Sequence, residues 1–226
     1  MKINSLNPNH YSIPSEVVIE AYKKGLFPMA ETARSKEIYW LDPKKRGVFF
    51  FDKVKVPRKL RKLARNYPFQ IAVNTNFEQV VENCSKITNL RKDTWINDTI
   101  KNIYINMHKK GHAHSVECYL GKKMVGGLYG VAIGAVFFGE SMFSSVTNAS
   151  KFALFHLIER LIVGNYSFID TQFINDHLRQ FGAEEISNQI FKIKLKDGIN
   201  KKGNFQYFSL NGFIPHNIYP LTSNII

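Results

Sequence analysis

Apolar residues in this chain fall into short alternating runs broken by glycine and polar turns, with two longer stretches at helical spacing. Ser15 is placed to cap a short helix over residues 16–24 that Gly25 closes. Residues 38–41 and 47–51 predict short strands joined by Asp42, Pro43, Lys44, Lys45 and Arg46. A strand is expected over 69–73, then a helix over 77–84 capped by Asn76. Asn97 or Asp98 opens an amphipathic helix with Ile100, Ile103, Tyr104 and Met107 on one face, ended by Gly111. A β-meander follows: 114–120 alternates, Gly121-Lys122 turns, and 124–131 returns. Gly126 and Gly127 inside the returning strand predict a bulge or a close backbone approach. A third apolar run, 135–139, delivers Glu140.

Asn148 caps a long helix that is apolar around most of its circumference, through Phe152, Leu154, Phe155, Ile158, Leu161 and Ile162. Such a helix is buried between layers. Gly164 closes it, a strand over 166–172 follows, and then a short helix over 175–181. From residue 189 onward, Phe191, Ile193 and Leu195 alternate with lysines, which fits a strand or a short amphipathic helix. The chain after Asn200 is polar and aromatic by turns and is expected to be poorly ordered. The fold class is α+β: a small N-terminal α/β domain over 1–56, and a larger domain over 57–226.

Composition narrows the function. The 226 residues are 44% hydrophobic and 13% aromatic, enough to bury a sizeable core and too apolar for disorder. Cys84 and Cys118 form neither a disulfide framework nor a metal pattern, and read as buried thiols of a reducing compartment. Residues 1–10 carry no apolar signal region and no run approaches a membrane span, so a cytoplasmic monomer is expected, with no membrane partner. The formal net charge of +13 favours nucleic acid or another polyanion as partner. It is densest at Lys53, Lys55, Arg58, Lys59, Arg61, Lys62 and Arg65, where no acid interleaves after Asp52. Leu60, Leu63 and Ala64 give this segment one apolar stripe, and Pro57 suits a first helical turn. Residues 55, 58, 59, 61, 62 and 65 are therefore candidates for gripping phosphates.

The chemistry-bearing signal is Phe168-Ile169-Asp170-Thr171-Gln172, an apolar run that ends in a carboxylate and a carboxamide. Two residues apart on a strand, Asp170 and Gln172 share a face. Glu140 closes a second apolar run. Two acids and an amide at strand ends in a basic chain suggest a reaction centre that serves a polyanionic substrate. His112 and His114 lack a cysteine or acid at ligand spacing and read as structural, so no metal is expected.

The order of strands and helices after residue 112 resembles the GNAT acyltransferase core, a mixed sheet with helices on both faces. His177 through Ala183 looks like the helix and turn that close that core, while the glycine-rich pyrophosphate loop that acetyl-CoA needs is absent. A larger set of segments resembles one family, the leucyl/phenylalanyl-tRNA–protein transferases: Gly25-Leu26-Phe27-Pro28, Trp40 through Arg46, Thr94-Trp95-Ile96, Gly111 through Glu117, Val125 through Val131, Phe138 through Ser144, Asn148-Ala149-Ser150-Lys151 and Ile169 through Gln172. These run in family order over roughly residues 15 to 186. The resemblance implies transfer of Leu or Phe from aminoacyl-tRNA to the N-terminal amine of proteins beginning with Arg or Lys, which creates a degradation signal. It implies no cofactor.

The aminoacyl ester is already activated, so the enzyme's contribution is positioning and polarisation. On this reading Asp170 orients the Gln172 carboxamide, whose oxygen accepts a hydrogen from the attacking amine. Glu140 offers negative charge to the incoming N-terminus. Leu128, Phe137, Met142 and Ile169 are expected to line the side-chain slot, with Asn175 as a further substrate contact. Trp40 and Trp95 are candidates for stacking on the terminal adenine. The chain departs from the family at Trp40-Leu41, where two tryptophans are common, at Lys44-Lys45-Arg46, in place of a proline-rich turn, at Met29, usually Trp, and beyond about Ser187. An acetyl-CoA-dependent N-acetyltransferase, a non-catalytic RNA-binding module and a transferase for acidic N-termini remain as alternatives. CoA binding tests the first, and the Asp170, Gln172 and Glu140 set argues against the second.

Overall fold

The computed structural model describes residues 13–64, 69–88, 92–208 and 213–215. Arg65 and residues 1–10 lie outside the described residues. The chain opens with α1 (Ser15–Lys23), β1 (Phe27–Met29), β2 (Tyr39–Leu41) and β3 (Lys45–Phe50). A 3-10 turn (Phe51–Lys53) leads into α2 (Arg58–Ala64), β4 (Phe69–Val73), α3 (Phe77–Ser85) and α4 (Asp98–Lys109). The meander is β5 (Ala113–Leu120), β6 (Lys123–Ile133) and β7 (Val136–Ser144). Then come α5 (Ala149–Val163), β8 (Phe168–Gln172), α6 (Asp176–Arg179), β9 (Glu184–Ser187) and α7 (Asn188–Ile199). A second 3-10 turn (Phe205–Phe208) and β10 (Phe213–Pro215) complete the order.

Eight strands form one mixed sheet in the order β10-β4-β5-β6-β7-β8-β3-β9. Every pairing is antiparallel except β7 with β8, and α5 supplies the crossover that a parallel pair needs. Helices cover both faces. Against one face lie α1, α3, α4 and α7, through Val18, Tyr22, Val80, Ile100, Tyr104, Phe191 and Leu195. Against the other lie α2, α5 and α6, through Leu60, Phe152, Leu154, Leu157, Ile158 and Leu178. No helix among the described residues is long and apolar enough to cross a membrane.

Only β1 and β2 form a sheet of their own within the first 56 residues, whereas β3 sits between β8 and β9 in the main sheet. Its run from Arg46 to Phe49 is buried throughout, as an interior strand's should be. Ser15 stands inside the first turn of α1 behind Pro14 rather than as its cap. Asn97, Asn175 and Ser187 do cap α4, α6 and α7 with side-chain oxygens that accept from Ile100, Leu178 and Ile190 amides. The glycine signal in β6 is a close approach. A Cβ on Gly126 would stand 2.6 Å from the Ala149 Cβ, so its absence lets the start of α5 lie on the sheet.

The open reading at residue 189 resolves as a helix. Phe191, Leu195 and Gly198 are its buried residues, and their i, i+4, i+7 spacing prevails over the local alternation. Residues 200–208 are also better held than their composition suggests. Phe205 is buried, stacked on His114 and Phe137, and its carbonyl accepts from Arg160.

Candidate active site

The sheet comes apart where the polar residues lie. β7 and β8 pair only from Val136–Phe168 to Phe138–Asp170. Beyond that point β7 continues against β6 alone, and β8 against β3 alone. Both strands also carry an irregularity there. Glu140 is the extra residue where Tyr129 pairs Ser141 and Gly130 pairs Gly139. Thr171 is the extra residue where Val48 pairs Asp170 and Gly47 pairs Gln172. Bulges re-aim side chains beside functional sites: Glu140 and Thr171 line the opening here, while Gln172 stays buried beside Glu140 and off the cavity wall.

Asp170 is fully buried and does not hold the Gln172 carboxamide, as the sequence had suggested. Its two oxygens take a bidentate pair from Arg46, Nε to Oδ1 at 2.8 Å and Nη2 to Oδ2 at 2.7 Å. Arg46 is equally buried; it gives Nη1 to the Gly25 carbonyl at 2.8 Å, and its guanidinium lies over Phe27 at 4.8 Å and Phe191 at 4.3 Å. What Asp170 holds of Gln172 is the main chain: the Gln172 amide donates to Oδ1 at 2.9 Å. This anchors Gln172 at φ +55°, a left-handed conformation that costs a non-glycine residue energy and needs such support.

Hydrogen bonding orients the Gln172 carboxamide with its nitrogen donating to the carbonyls of Gly139 (2.8 Å) and Thr171 (3.1 Å). The other terminal position of the amide lies 3.4 Å from Glu140 Oε1 and is then the oxygen. Glu140 accepts from Tyr22 of α1 at 2.7 Å and Tyr104 of α4 at 2.6 Å, and the two hydroxyls are 2.8 Å apart. Burial pushes the Glu140 carboxyl up to about 7, against the lowering effect of the two tyrosines, with the nearby Asp170 charge adding to the rise. Burial likewise holds both tyrosines well above their ordinary range, so they remain donors. A proton on Glu140 makes its contact with the Gln172 oxygen favourable, and loss of that proton makes it repulsive.

A cavity of about 260 Å³ opens at this split. Its wall is apolar: Leu128, Met142 and Ile169 from the sheet, Phe49 from β3, Leu154 and Leu157 from α5, and Leu178 from α6. Its polar side holds Glu140, Ser141, Thr171, Asn175 and His177. Expected slot residues Leu128, Met142 and Ile169 are therefore brought together, and Asn175 joins them while its oxygen caps α6. Phe137 is not among them; it is fully buried in the core, against Phe205. Trp40 is enclosed at 7% exposure in the core between α1 and the sheet, and offers no ring face to a base. Trp95 is half-buried against the same core, its carbonyl taking the Ala30 amide, and does not line the cavity. His114 bonds to Asn74 at 3.1 Å and stacks on Phe205, and burial lowers it to about 3.

Lys55, Arg58, Lys59 and Lys62 are exposed, and none has a carboxylate partner among the described residues; Arg61 lies on the same helix. The Lys55 amide bonds the Phe181 carbonyl at 2.8 Å, which ties this basic segment to the end of α6 beside the cavity. Sequence reasoning missed Arg46, Tyr22, Tyr104, Phe49, Leu154, Leu157 and Leu178. One signal for Arg46 was present: an arginine opening the apolar run Gly47 through Phe51.

Comparison with known proteins places the chain in a family. The family model for leucyl/phenylalanyl-tRNA protein transferase matches residues 48–196, and the model for that family's N-terminal domain matches residues 12–44. The leucyl/phenylalanyl-tRNA–protein transferase of Rhodospirillum rubrum is 44% identical over 86% of this chain and 91% of its own length. That of Maricaulis maris is 46% identical over 84% and 88%. Among solved structures, a crystal structure of FemX shares the fold at a TM-score of 0.51 and 12% identity, over 74% of this chain and 67% of that one. With both family models matched in order, and relatives this similar over nearly their whole length, the chain belongs to the leucyl/phenylalanyl-tRNA protein transferase family.

Proposed function

We propose that this chain transfers leucine or phenylalanine from charged tRNA to the N-terminal amine of proteins beginning with Arg or Lys, on a GNAT-like core, and so marks them for degradation. The observation that carries the reading is the apolar cavity ending at Glu140 where β7 and β8 part. It takes an unbranched-at-Cβ apolar side chain and leaves the adjoining ester carbonyl at the polar rim. Membership in the family supports the reaction class. The reading includes a cytoplasmic monomer that needs no cofactor.

In this mechanism the donor's side chain enters the cavity and fixes its ester beside Gln172 and Glu140. The acceptor amine approaches along the Glu140 side, where a carboxyl poised near 7 faces an α-amine whose ordinary pKa is ~7.7–8.0. Glu140 takes the proton that the α-ammonium must lose before it can attack. The Gln172 oxygen accepts an N–H of the neutral amine and sets its lone pair on the carbonyl carbon. The new C–N bond forms, the ester C–O bond breaks, and the terminal ribose oxygen leaves with the amine's second proton. Asp170 stays out of the proton path, because Arg46 and the Gln172 main chain occupy its oxygens. It fixes the left-handed turn that aims Gln172. The exposed cations on and before α2 attract the acceptor stem without reading its sequence.

The test is transfer of labelled Leu and Phe from charged tRNA to peptides beginning with Arg, Lys, Asp or Ala. Arg and Lys peptides are expected to accept both residues. Absence of transfer to any of them, or transfer that depends on acetyl-CoA, would sink the reading.

A further inference from the structure

With both tryptophans off the cavity, the terminal base of the donor has no platform among the residues that the sequence had suggested. The cavity supplies another. Three of its lining residues carry a phenyl or phenol ring; Phe49 and Tyr129 are fully buried, while Phe173 is 54% exposed. A large apolar side chain left this open at the rim of an apolar cavity is poorly placed for stability, and well placed to meet a flat ligand.

Phe173 is also held still. Gln172 before it is fixed at φ +55° by Asp170. The Thr171 hydroxyl donates to the Phe173 carbonyl at 3.3 Å. The turn lies directly on β3 at Gly47, where a Cβ would stand 2.6 Å from Thr171 Oγ1 and 3.0 Å from the Phe173 carbonyl carbon. The Phe173 ring meets the edge of Phe27 at 5.8 Å, and Phe27 in turn lies on the Arg46 guanidinium. A ring exposed on a braced turn presents its face without first losing freedom.

We propose that Phe173 is the surface on which the 3′-terminal adenine of the aminoacyl donor stacks. The inference rests on the donor being an aminoacyl ester of a terminal adenosine. With the aminoacyl side chain inside the cavity, the ester bond and its nucleoside must lie at the rim, within reach of Phe173. Stacking on one ring face supplies affinity for the nucleoside independently of the phosphate contacts made by the basic segment, and it places the ribose oxygens over Gln172.

The test uses Phe173→Ala and Phe173→Trp in the full chain. Phe173→Ala is expected to raise the KM for charged tRNA and for a minimal phenylalanyl-adenosine ester by roughly 5- to 100-fold, the range that one stacked base gives. The KM for an Arg-initiated peptide stays the same, and Phe173→Trp restores the donor KM. Binding is read separately from activity: titrating Phe173→Trp with a non-reactive phenylalanyl-adenosine amide quenches its tryptophan fluorescence beyond the wild-type signal from Trp40 and Trp95. An unchanged donor KM in Phe173→Ala, or a rise in the peptide KM instead, overturns the proposal, and so does the absence of extra quenching. Extra quenching of Phe173→Trp by the nucleoside amide, in a protein whose wild type transfers nothing, refutes the transferase reading and leaves the stacking assignment standing.

Discussion

Replacing Arg46 by methionine tests the arrangement that aims Gln172. The substitution keeps most of the side chain's length and removes the charge. Asp170, with no exposed surface, would then keep a single hydrogen bond, from the Gln172 amide, in place of three. Breaking a buried pair from one side leaves an uncompensated charge and costs about 3–5 kcal/mol. That is a large part of a domain's whole stability and amounts to roughly 6–20 °C in melting temperature for a chain of this size. The rings of Phe27 and Phe191 lose the cation between them, and the Gly25 carbonyl its donor, so the upper half of the range is expected.

A second substitution separates folding from chemistry. Arg46→Met with Asp170→Asn removes both charges and leaves a carboxamide oxygen to accept from Gln172. Denaturant unfolding should show at least about 2 kcal/mol recovered relative to Arg46→Met, because a neutral pair carries no buried charge. If Asp170 only positions Gln172, transfer in single turnover should return to within roughly tenfold of wild type at a temperature where both variants are folded. The reasoning fails if Arg46→Met unfolds within about 1 kcal/mol of wild type. It fails equally if the double variant regains stability while transfer stays more than a hundredfold down, since the charge itself would then be required.

Four other outcomes are expected. Glu140→Gln should abolish the part of the kcat/KM profile that rises through about pH 7 and leave the amine's own limb near ~8. The same carboxyl is raised on folding, so the wild type should lose stability as pH climbs from about 4.5 to about 7, by no more than about 3 kcal/mol, and Glu140→Gln should not, as checked by urea midpoints across that window. Leu157→Trp fills the cavity and should reduce Phe transfer more than Leu transfer, whereas Phe137→Ala should cost about 3–5 kcal/mol of stability and leave the Leu-to-Phe ratio unchanged. Neutralising Lys55, Arg58, Lys59 and Lys62 should each reduce the log–log salt slope of tRNA binding by about 1, with similar losses for every tRNA body tested.

Local pattern carried most of the element boundaries, because strand alternation, helix spacing and glycine ends are set within a few residues. β4 matches its expected range, and Asn97 caps α4 as its spacing implied. Arg46 shows where that information ends. Lys44, Lys45 and Arg46 read as a turn of three cations, yet the two-residue period of β3 turns Lys45 out to Glu185 and Arg46 inward to Asp170. Nothing within ten residues of Arg46 announces a partner 124 positions away. The cavity wall failed for a related reason. Leu154 and Leu157 look like any other core position of α5, and only the parting of β7 from β8 leaves those two facing open space. Phe137, one strand position from the same opening, is filled in by Phe205 from a tail whose composition suggested disorder.

The charge of +13 and the chemistry of the site are separable, and the geometry explains how. Inside the split the charges cancel: Arg46 neutralises Asp170, and Glu140 sits close to its own titration point. A strong positive potential at Gln172 would keep Glu140 ionised and would repel the α-ammonium that has to reach it. The unpaired cations lie instead in water on and before α2, where they attract phosphates at long range and are screened by salt. Glu140 therefore responds to burial and to two tyrosine hydroxyls rather than to the protein's net charge, and a chain this basic can still hold a carboxyl near neutrality. That division lets one surface grip a polyanion while a few ångströms of buried strand end accept a proton from a cation.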